Sequence, residues 1–415
     1  MKIIVYPHDL GIGGSQLNAI ELAAAVRDLG HDLVVFGRPG ALNERIDDLG
    51  LEFVAAPEPG KRPSPTVARA LRTLADARGA DIIHGYEWPP VLDAALAMRG
   101  RGRARVVATV MSMSVPSFIP RSIPLFVGTE EIAAAERTAG RRRVGVIEPP
   151  VDLVFNDIDS DPGVADFVRR HGLTGDRITV VSVARFSREL KLEGTLAAIE
   201  AIGRMSRSVP VRLVLVGDGP ARDEVERRAQ EVNDQHGEGT IVLTGQVDDP
   251  RPAYAAADVA LGMGGSALRA LAYGRPLIVQ GESGFWKTLT PETVDAFLWT
   301  GWYGVDGGAE YGVEALEREL QPLVTDRVRR DELGRYGLGL VRDRFSLVHT
   351  AELQARQYAE AIAHPAALRG AAEASALMRY SGYYVGKRFR RARGVESTDD
   401  FNSRPVAGRN RESGR

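Results

Sequence analysis

Short runs rich in Val and Ile alternate with amphipathic segments, and this alternation occurs twice along the chain. In the first half KIIVYP, HDLVVFG, LEFVAAP, ADIIHGY, RVVATV and IPLFVGT read as strands bounded by turn residues. Between them lie patterns such as SQLNAIELAAAVRDLG, whose apolar residues recur at spacings of three and four before Gly30 supplies a stop. Such alternation predicts a parallel sheet covered by helices on both faces. VDLVFNDIDSDPGV, from Val151 to Val164, is acidic and aperiodic and reads as a linker. The alternation then resumes. RITVVSVARF, VRLVLVGDG, GTIVLTGQV, DVALGMG and PLIVQG are the new strands, with EGTLAAIEAIGRM, ARDEVERRAQEV and SALRALAYG among the helices. The fold class is therefore α/β, with two doubly wound domains expected to face a cleft at the C-terminal strand ends.

Length agrees, since 415 residues exceed one ordinary core. The expected organisation is a first domain over 1–155, a second over 156–340, a C-terminal helix over 341–363 and a basic, partly disordered tail over 364–415. In that tail RYSGYYVGKRFRRARG interleaves Tyr and Phe with Arg. It reads either as a solvated tail or as a surface for peripheral membrane contact or a partner. The chain has no cysteine, which excludes disulfides, thiolate metal sites and a cysteine nucleophile. A net charge of -2 gives no reason to expect nucleic acid. MKIIVYPHDLGIGG is too short an apolar run for a signal peptide, and no stretch approaches the roughly 20 apolar residues of a spanning helix. A cytoplasmic location is the expectation, with membrane association through the tail left open.

Candidate site residues lie where strands give way to helices. HDLGIGGSQLNAIE follows the first strand, and Gln16 stands where a dinucleotide fingerprint puts its third glycine. No acid ends the second strand either, so a nicotinamide cofactor is not expected. Gly13 and Gly14 permit close approach of a ligand or make a tight turn, and Ser15 is placed to cap the next helix. In SVARFSRELKLEG, Arg185 leaves a strand end and Lys191 precedes a helix. Two cations there suit a departing diphosphate, which is electrostatic catalysis without a metal; a pair of surface charges is the alternative. Arg188 and Glu189 beside them suit a solvated ion pair. LVGDGPAR reads first as turn chemistry. LGMGGSALRALAYG offers Gly264, Gly265 and Ser266 at a helix start, where free N–H groups and the helix dipole favour an anion. Glu282, in QGESGFW, is a candidate acceptor for sugar hydroxyls. His84 and Glu87, after the fourth strand, are acceptor-side candidates. SMSVPSFIPRSIP reads either as a loop that meets a lipid or aglycone, or as a packed connector.

Taken in order, these segments resemble the retaining GT-B glycosyltransferases, the group of glycogen-synthase-like and mannosyltransferase enzymes. The likeness runs from about Lys2 to Tyr358. GGSQLNAIELAAAVRDLGHDLVVF is similar to the group's opening loop and helix, and ADIIHGYE to its fourth-strand segment. IEPPVDLVF is similar to its pre-linker segment, with Pro149 and Pro150 replacing Asn-Gly. VSVARFSRELKLEG resembles the donor Arg/Lys strand, and LVGDGPAR, VLTGQV and AYAAADVAL follow in order. FSLVHTAELQARQYAEAIA resembles the helix that packs back on the first domain.

The resemblance implies GT-B architecture, two Rossmann-like domains, and transfer of a sugar from a nucleotide diphosphate donor to an acceptor with retention. Arg185 and Lys191 would stabilise the leaving diphosphate, with Gly13 and Gly14 approaching from the first domain. Gly264, Gly265, Ser266, Leu268, Arg269 and Glu282 would hold the donor. No metal and no cofactor beyond the donor substrate is expected. The acceptor, whether glycan, lipid or small molecule, is not specified. Three positions depart from the group. Leu261 and Arg269 stand where two glutamates are usual, and Met111 where a His often follows the fifth strand. A non-catalytic GT-B protein that binds a nucleotide sugar or supports a partner is the alternative function. A sugar-nucleotide epimerase is disfavoured for want of paired acid/base carboxylates.

Overall fold

In the computed structural model of the chain, residues 1–11, 13–100, 103–305, 312–364, 370–393, 401 and 406 are described. Two compact units emerge. One comprises Met1–Pro150 with Leu347–Arg415, the other Val151–Ser346.

The first unit is built on strands β1 (Lys2–Tyr6), β2 (Asp32–Gly37), β3 (Glu52–Ala55), β4 (Ile82–Tyr86), β5 (Arg105–Val110), β6 (Leu125–Val127) and β7 (Val144–Val146). Helices α1 (Gly14–Asp28), α2 (Asn43–Asp48), α3 (Pro65–Arg78), α4 (Trp88–Ala97) and α5 (Glu130–Thr138) connect them. The strands pair in the order β3-β2-β1-β4-β5-β6-β7, all parallel. Residues Ile3 to Tyr6 are buried, which is why the strand sequence is a continuous apolar run rather than an alternating one. Ile4 lies opposite both Val34 and Ile83.

The second unit holds β8 (Ile178–Val183), β9 (Val211–Val216), β10 (Ile241–Gly245), β11 (Val259–Gly262), β12 (Leu277–Gln280) and β13 (Trp286–Thr288). Its helices are α6 (Val164–Arg170), α7 (Leu192–Met205), α8 (Arg222–His236), α9 (Arg251–Ala256), α10 (Gly265–Ala272), α11 (Val294–Thr300), α12 (Val313–Thr325) and α13 (Arg327–Arg344). The order is β10-β9-β8-β11-β12-β13, parallel apart from the antiparallel β13. These are two Rossmann-like sheets. Each reverses its strand order once, between β1 and β4 and between β8 and β11, and such a reversal opens a crevice at the carboxyl ends of the strands.

Helices α14 (Leu347–Ala363) and α15 (Gly370–Ala392) complete the first unit. α14 packs against α1, burying Ala351, Tyr358 and Ala361 in the core beneath it. Over Gly370–Ala392 the basic tail forms a helix, where a partly disordered tail was expected. Its Tyr380 and Tyr383 pack against Phe118 at 5.2 and 5.1 Å between ring centroids. Most of the remaining polar end lies outside the described residues. The loop SMSVPSFIPRSIP is a packed connector, with Phe118, Ile119 and Ile123 buried.

Candidate functional site

At the reversal point of the second sheet, β8 ends and its exit loop carries Arg185, which is exposed, and Lys191, which is half-buried at the N-terminal boundary of α7. Burial and the neighbouring Arg185 charge push the Lys191 ammonium below the usual lysine range. Neither side chain has a hydrogen bond or a carboxylate partner among the described residues. Arg188, by contrast, pairs with Glu224 at 3.3 Å rather than with Glu189. Two adjacent cations without a counter-ion are costly, and an anion between them would relieve the repulsion.

The backbone holding Lys191 is pinned. Its carbonyl accepts from Thr195 N and Oγ1, each at 2.9 Å, and from Gln280 Nε2 at 3.1 Å. The Gln280 amide occupies the space that a Cβ at position 194 would fill, so a larger residue there would displace the amide from the Lys191 carbonyl. Glu193, in the first turn of α7, accepts from Ser283 N at 3.0 Å and Gly284 N at 2.7 Å. One turn of helix thus fixes both the Lys191 loop and the loop after β12.

The neighbouring loop leaves β11. Gly264 has φ 55 and ψ -131, a conformation suited to glycine, and its N–H donates to the Trp302 carbonyl at 3.0 Å. α10 starts at Gly265, so its first-turn N–H groups have no intrahelical acceptor and point to the crevice end. The Ser266 hydroxyl turns inward and donates to the Met263 carbonyl at 3.0 Å, closing the loop. Leu268, expected among the donor-binding residues, is instead fully buried in the core, and its N–H donates to the Gly264 carbonyl. Its side chain is packing.

Arg269 folds back along its own helix. A Cβ at Gly265 would lie 3.2 Å from an Arg269 guanidinium nitrogen. A positive charge therefore sits beside the N-terminal end of α10, where the helix dipole is already positive. Leu261 lies within β11 and is buried. Glu282 is half-buried, its N–H donates to the Gly304 carbonyl at 2.9 Å, and its carboxylate accepts from the buried Tyr303 hydroxyl.

The first sheet presents a separate constellation at its own reversal point. Gly13 precedes α1 in extended conformation and Gly14 opens the helix, with nothing within 4 Å of the position its Cβ would take. Ser15 does not cap α1. The helix already starts at Gly14 with Gly13 as its N-cap, which puts Ser15 inside it, and the Ser15 hydroxyl donates to Glu87 Oε1 at 3.3 Å. Glu87 Oε1 also accepts from Met111 N at 2.8 Å, and Oε2 from the Ser112 hydroxyl at 3.0 Å. Glu87 adopts φ 64, a left-handed value for a non-glycine residue, so three hydrogen bonds hold a strained backbone in place. Burial raises its carboxyl above the usual range against the pull of those donors. Nearby, Asp9 accepts from His8 at 2.8 Å and from Gly11 N at 3.0 Å, which holds its carboxyl down at about 2.

His84 corrects the acceptor-side expectation. It is fully buried, with Nδ1 bonded to Tyr358 Oη and Nε2 to Thr109 Oγ1, both at 2.7 Å. Burial lowers its imidazole to about 3, so it is a neutral strut joining α14 to the sheet. The sequence reading missed Glu193, Gln280 and Ser112. Gln280 had a legible signal, as the polar residue ending the apolar run PLIVQ.

Residues 177–300 match the family model described as Glycosyl transferases group 1, and residues 12–126 that described as Glycosyltransferase Family 4. Each sheet thus lies largely within a matched segment. Among curated proteins, the chain is similar to the GDP-mannose-dependent alpha-(1-6)-phosphatidylinositol dimannoside mannosyltransferase of Mycobacterium tuberculosis. It is 31% identical to it over 135 residues, which cover 30% of this chain and 33% of that protein, so the match spans a third of the relative's length. Among solved structures, a glycosyltransferase from Rickettsia africae aligns with a TM-score of 0.70 at 16% identity, over 88% of this chain and 99% of that one. Anabaena HepE in complex with UDP-glucose aligns with a TM-score of 0.68 at 16% identity, over 87% and 100%. The architecture is that of the GT-B fold.

Proposed function

We propose that this GT-B chain, matched in both halves to glycosyltransferase families, transfers a sugar from a nucleoside diphosphate donor to an acceptor hydroxyl, with retention of anomeric configuration. One observation carries the reading: Arg185 and Lys191 stand together without a counter-ion among the described residues, at the reversal point of the second sheet. Cleavage of the bond from the sugar to the diphosphate leaves negative charge on the phosphate oxygens. Preorganised cations and helix-start N–H groups stabilise that charge without reorganising. Lys191 and Arg185 supply the cations, and the start of α10 at Gly265 and Ser266 supplies the N–H groups. Arg269 adds a third positive charge where related enzymes usually carry a glutamate, so nucleoside contacts fall to other groups. Glu282 accepts from sugar hydroxyls. Within the first unit, Gly14 leaves open space at that sheet's own reversal point and Glu87 is the acceptor-side candidate. HepE is found with UDP-glucose, and the mycobacterial relative is named for GDP-mannose. Both names support a nucleotide sugar as the donor class.

The test is donor turnover with a panel of nucleotide sugars, read as nucleoside diphosphate release and glycoside formation. Transfer in the wild type that collapses in Lys191→Ala, with folding kept, supports the reading. Wild-type transfer rates in Lys191→Ala remove Lys191 from the mechanism.

A further inference from the structure

Among its described side chains, helix α15 makes its ring contacts through one face. Tyr380 and Tyr383 face inward, where Trp88 and Phe118 meet them with ring centroids 5.1 to 6.4 Å apart, and Phe401 packs beyond at 5.7 Å from Tyr383. Arg379 Nε donates to the Ser117 carbonyl at 2.7 Å, pinning the helix to the connector after β5. The opposite side is different in kind. Met378, Val385 and Phe389 are 70%, 54% and 63% exposed. Their spacing of seven and four residues aligns them in a single ridge, diametrically across the helix from Tyr380 and Tyr383. Arg388 and Arg393 are exposed alongside. The sequence KRFRRAR closes the helix with a dense positive run, in a chain whose net charge is -2, and Glu373 is the single acid between Gly370 and Ala392.

We infer that α15 docks the protein on an anionic lipid surface, with Met378, Val385 and Phe389 entering the headgroup boundary and Arg388 and Arg393 facing lipid phosphates. An interfacial helix needs an apolar ridge with cationic flanks, and it gains from both burial and attraction to anionic lipids. A second copy of the chain is a poorer occupant. A stable protein interface takes about 20–30 residues a side, whereas this ridge has three apolar side chains beside a like-charged run that would face itself. The inward face is already used, so the ridge is outward by construction and needs no rearrangement to meet a surface. The inference does not depend on the reaction proposed above.

The full chain should co-sediment with vesicles of phosphatidylcholine and phosphatidylglycerol, and binding should weaken as salt is raised. Met378→Ser/Phe389→Ser should lose at least tenfold in partitioning while its melting temperature stays at the wild-type value. Arg388→Gln/Arg393→Gln should lose several-fold and respond less to salt. If the ridge variant unfolds, Phe389→Trp decides the matter, with a blue-shifted emission expected on anionic vesicles. Four outcomes overturn the proposal. They are no wild-type binding, equal binding to vesicles of phosphatidylcholine alone, ridge variants that bind like the wild type, and an unshifted emission from the Phe389→Trp variant. A dimer seen by light scattering and abolished in the ridge variant would also overturn it, assigning the ridge to a second copy.

Discussion

Gln280, at the end of β12, donates from Nε2 to the carbonyl of Lys191 at 3.1 Å, so the side chain of one strand end sets the backbone of the cation expected to meet the diphosphate. Removing that donor leaves the carbonyl with its two bonds from Thr195. Gln280→Leu should therefore keep the fold and cost about 0.5–1.5 kcal/mol of loop order, the net scale of one hydrogen bond. The expected readout is a several-fold weaker nucleoside diphosphate affinity. Unchanged affinity, with Lys191→Ala still impaired, would show that the Thr195 bonds suffice.

Lys191→Ala should cost about 2–4 kcal/mol in kcat/KM, the scale of losing one preorganised charged donor. The pH dependence follows from its lowered pKa. The free protein loses the Lys191 proton at a lower pH than an ordinary lysine, and a bound diphosphate favours the protonated form. Affinity should thus fall as pH rises through that lowered value, and calorimetry should register proton uptake on binding. Lys191→Arg should abolish this alkaline limb.

Arg269 lies beside Gly265 at the start of α10, which gives it an electrostatic part in the proposed donor site. Arg269→Ala should weaken nucleoside diphosphate binding several-fold and flatten its salt dependence. Arg269→Glu should weaken it further, because a carboxylate there would repel the phosphates. Tighter binding by the glutamate variant would assign the position to ribose contact instead.

His84 predicts a stability profile. Its folded pKa of about 3 lies below the unfolded value near 6.5, so the unfolded chain binds a proton that the folded one refuses. Its contribution to stability is whole above pH 6.5 and is lost as pH falls toward 3, at a slope approaching about 1.4 kcal/mol per pH unit. Thermal melts from pH 7 to 4 should show a decline that is shallower in His84→Gln. Parallel declines in both proteins would exclude His84 as the cause.

Much of the architecture was legible because buried parallel strands need apolar runs, and every Val/Ile run named from the sequence is a strand. β7 and β13 were not legible. Each has three residues, too few for a period, and β13 is defined by its pairing with β12, as in Ile278 opposite Thr288. Candidate site residues could be named where charge or glycine marks a strand end, as at Arg185, Lys191 and Gly264. The site was illegible where the partner lies far along the chain. Nothing near His84 announces that Tyr358 takes its Nδ1, and nothing near Ser15 announces Glu87. The helical order of Gly370–Ala392 was hidden by its arginine content and is set by the aromatic side chains it packs against.

The central claim is that the second unit holds the diphosphate of a nucleotide sugar between Arg185, Lys191 and the start of α10. Calorimetry of the wild type and of Arg185→Ala/Lys191→Ala against UDP, GDP and ADP tests it most directly. The account predicts that one of these binds the wild type and that the double variant loses at least a hundredfold in affinity with its melting temperature unchanged. Absence of any binding by the wild type at millimolar nucleotide, or equal affinity in the double variant, would contradict it.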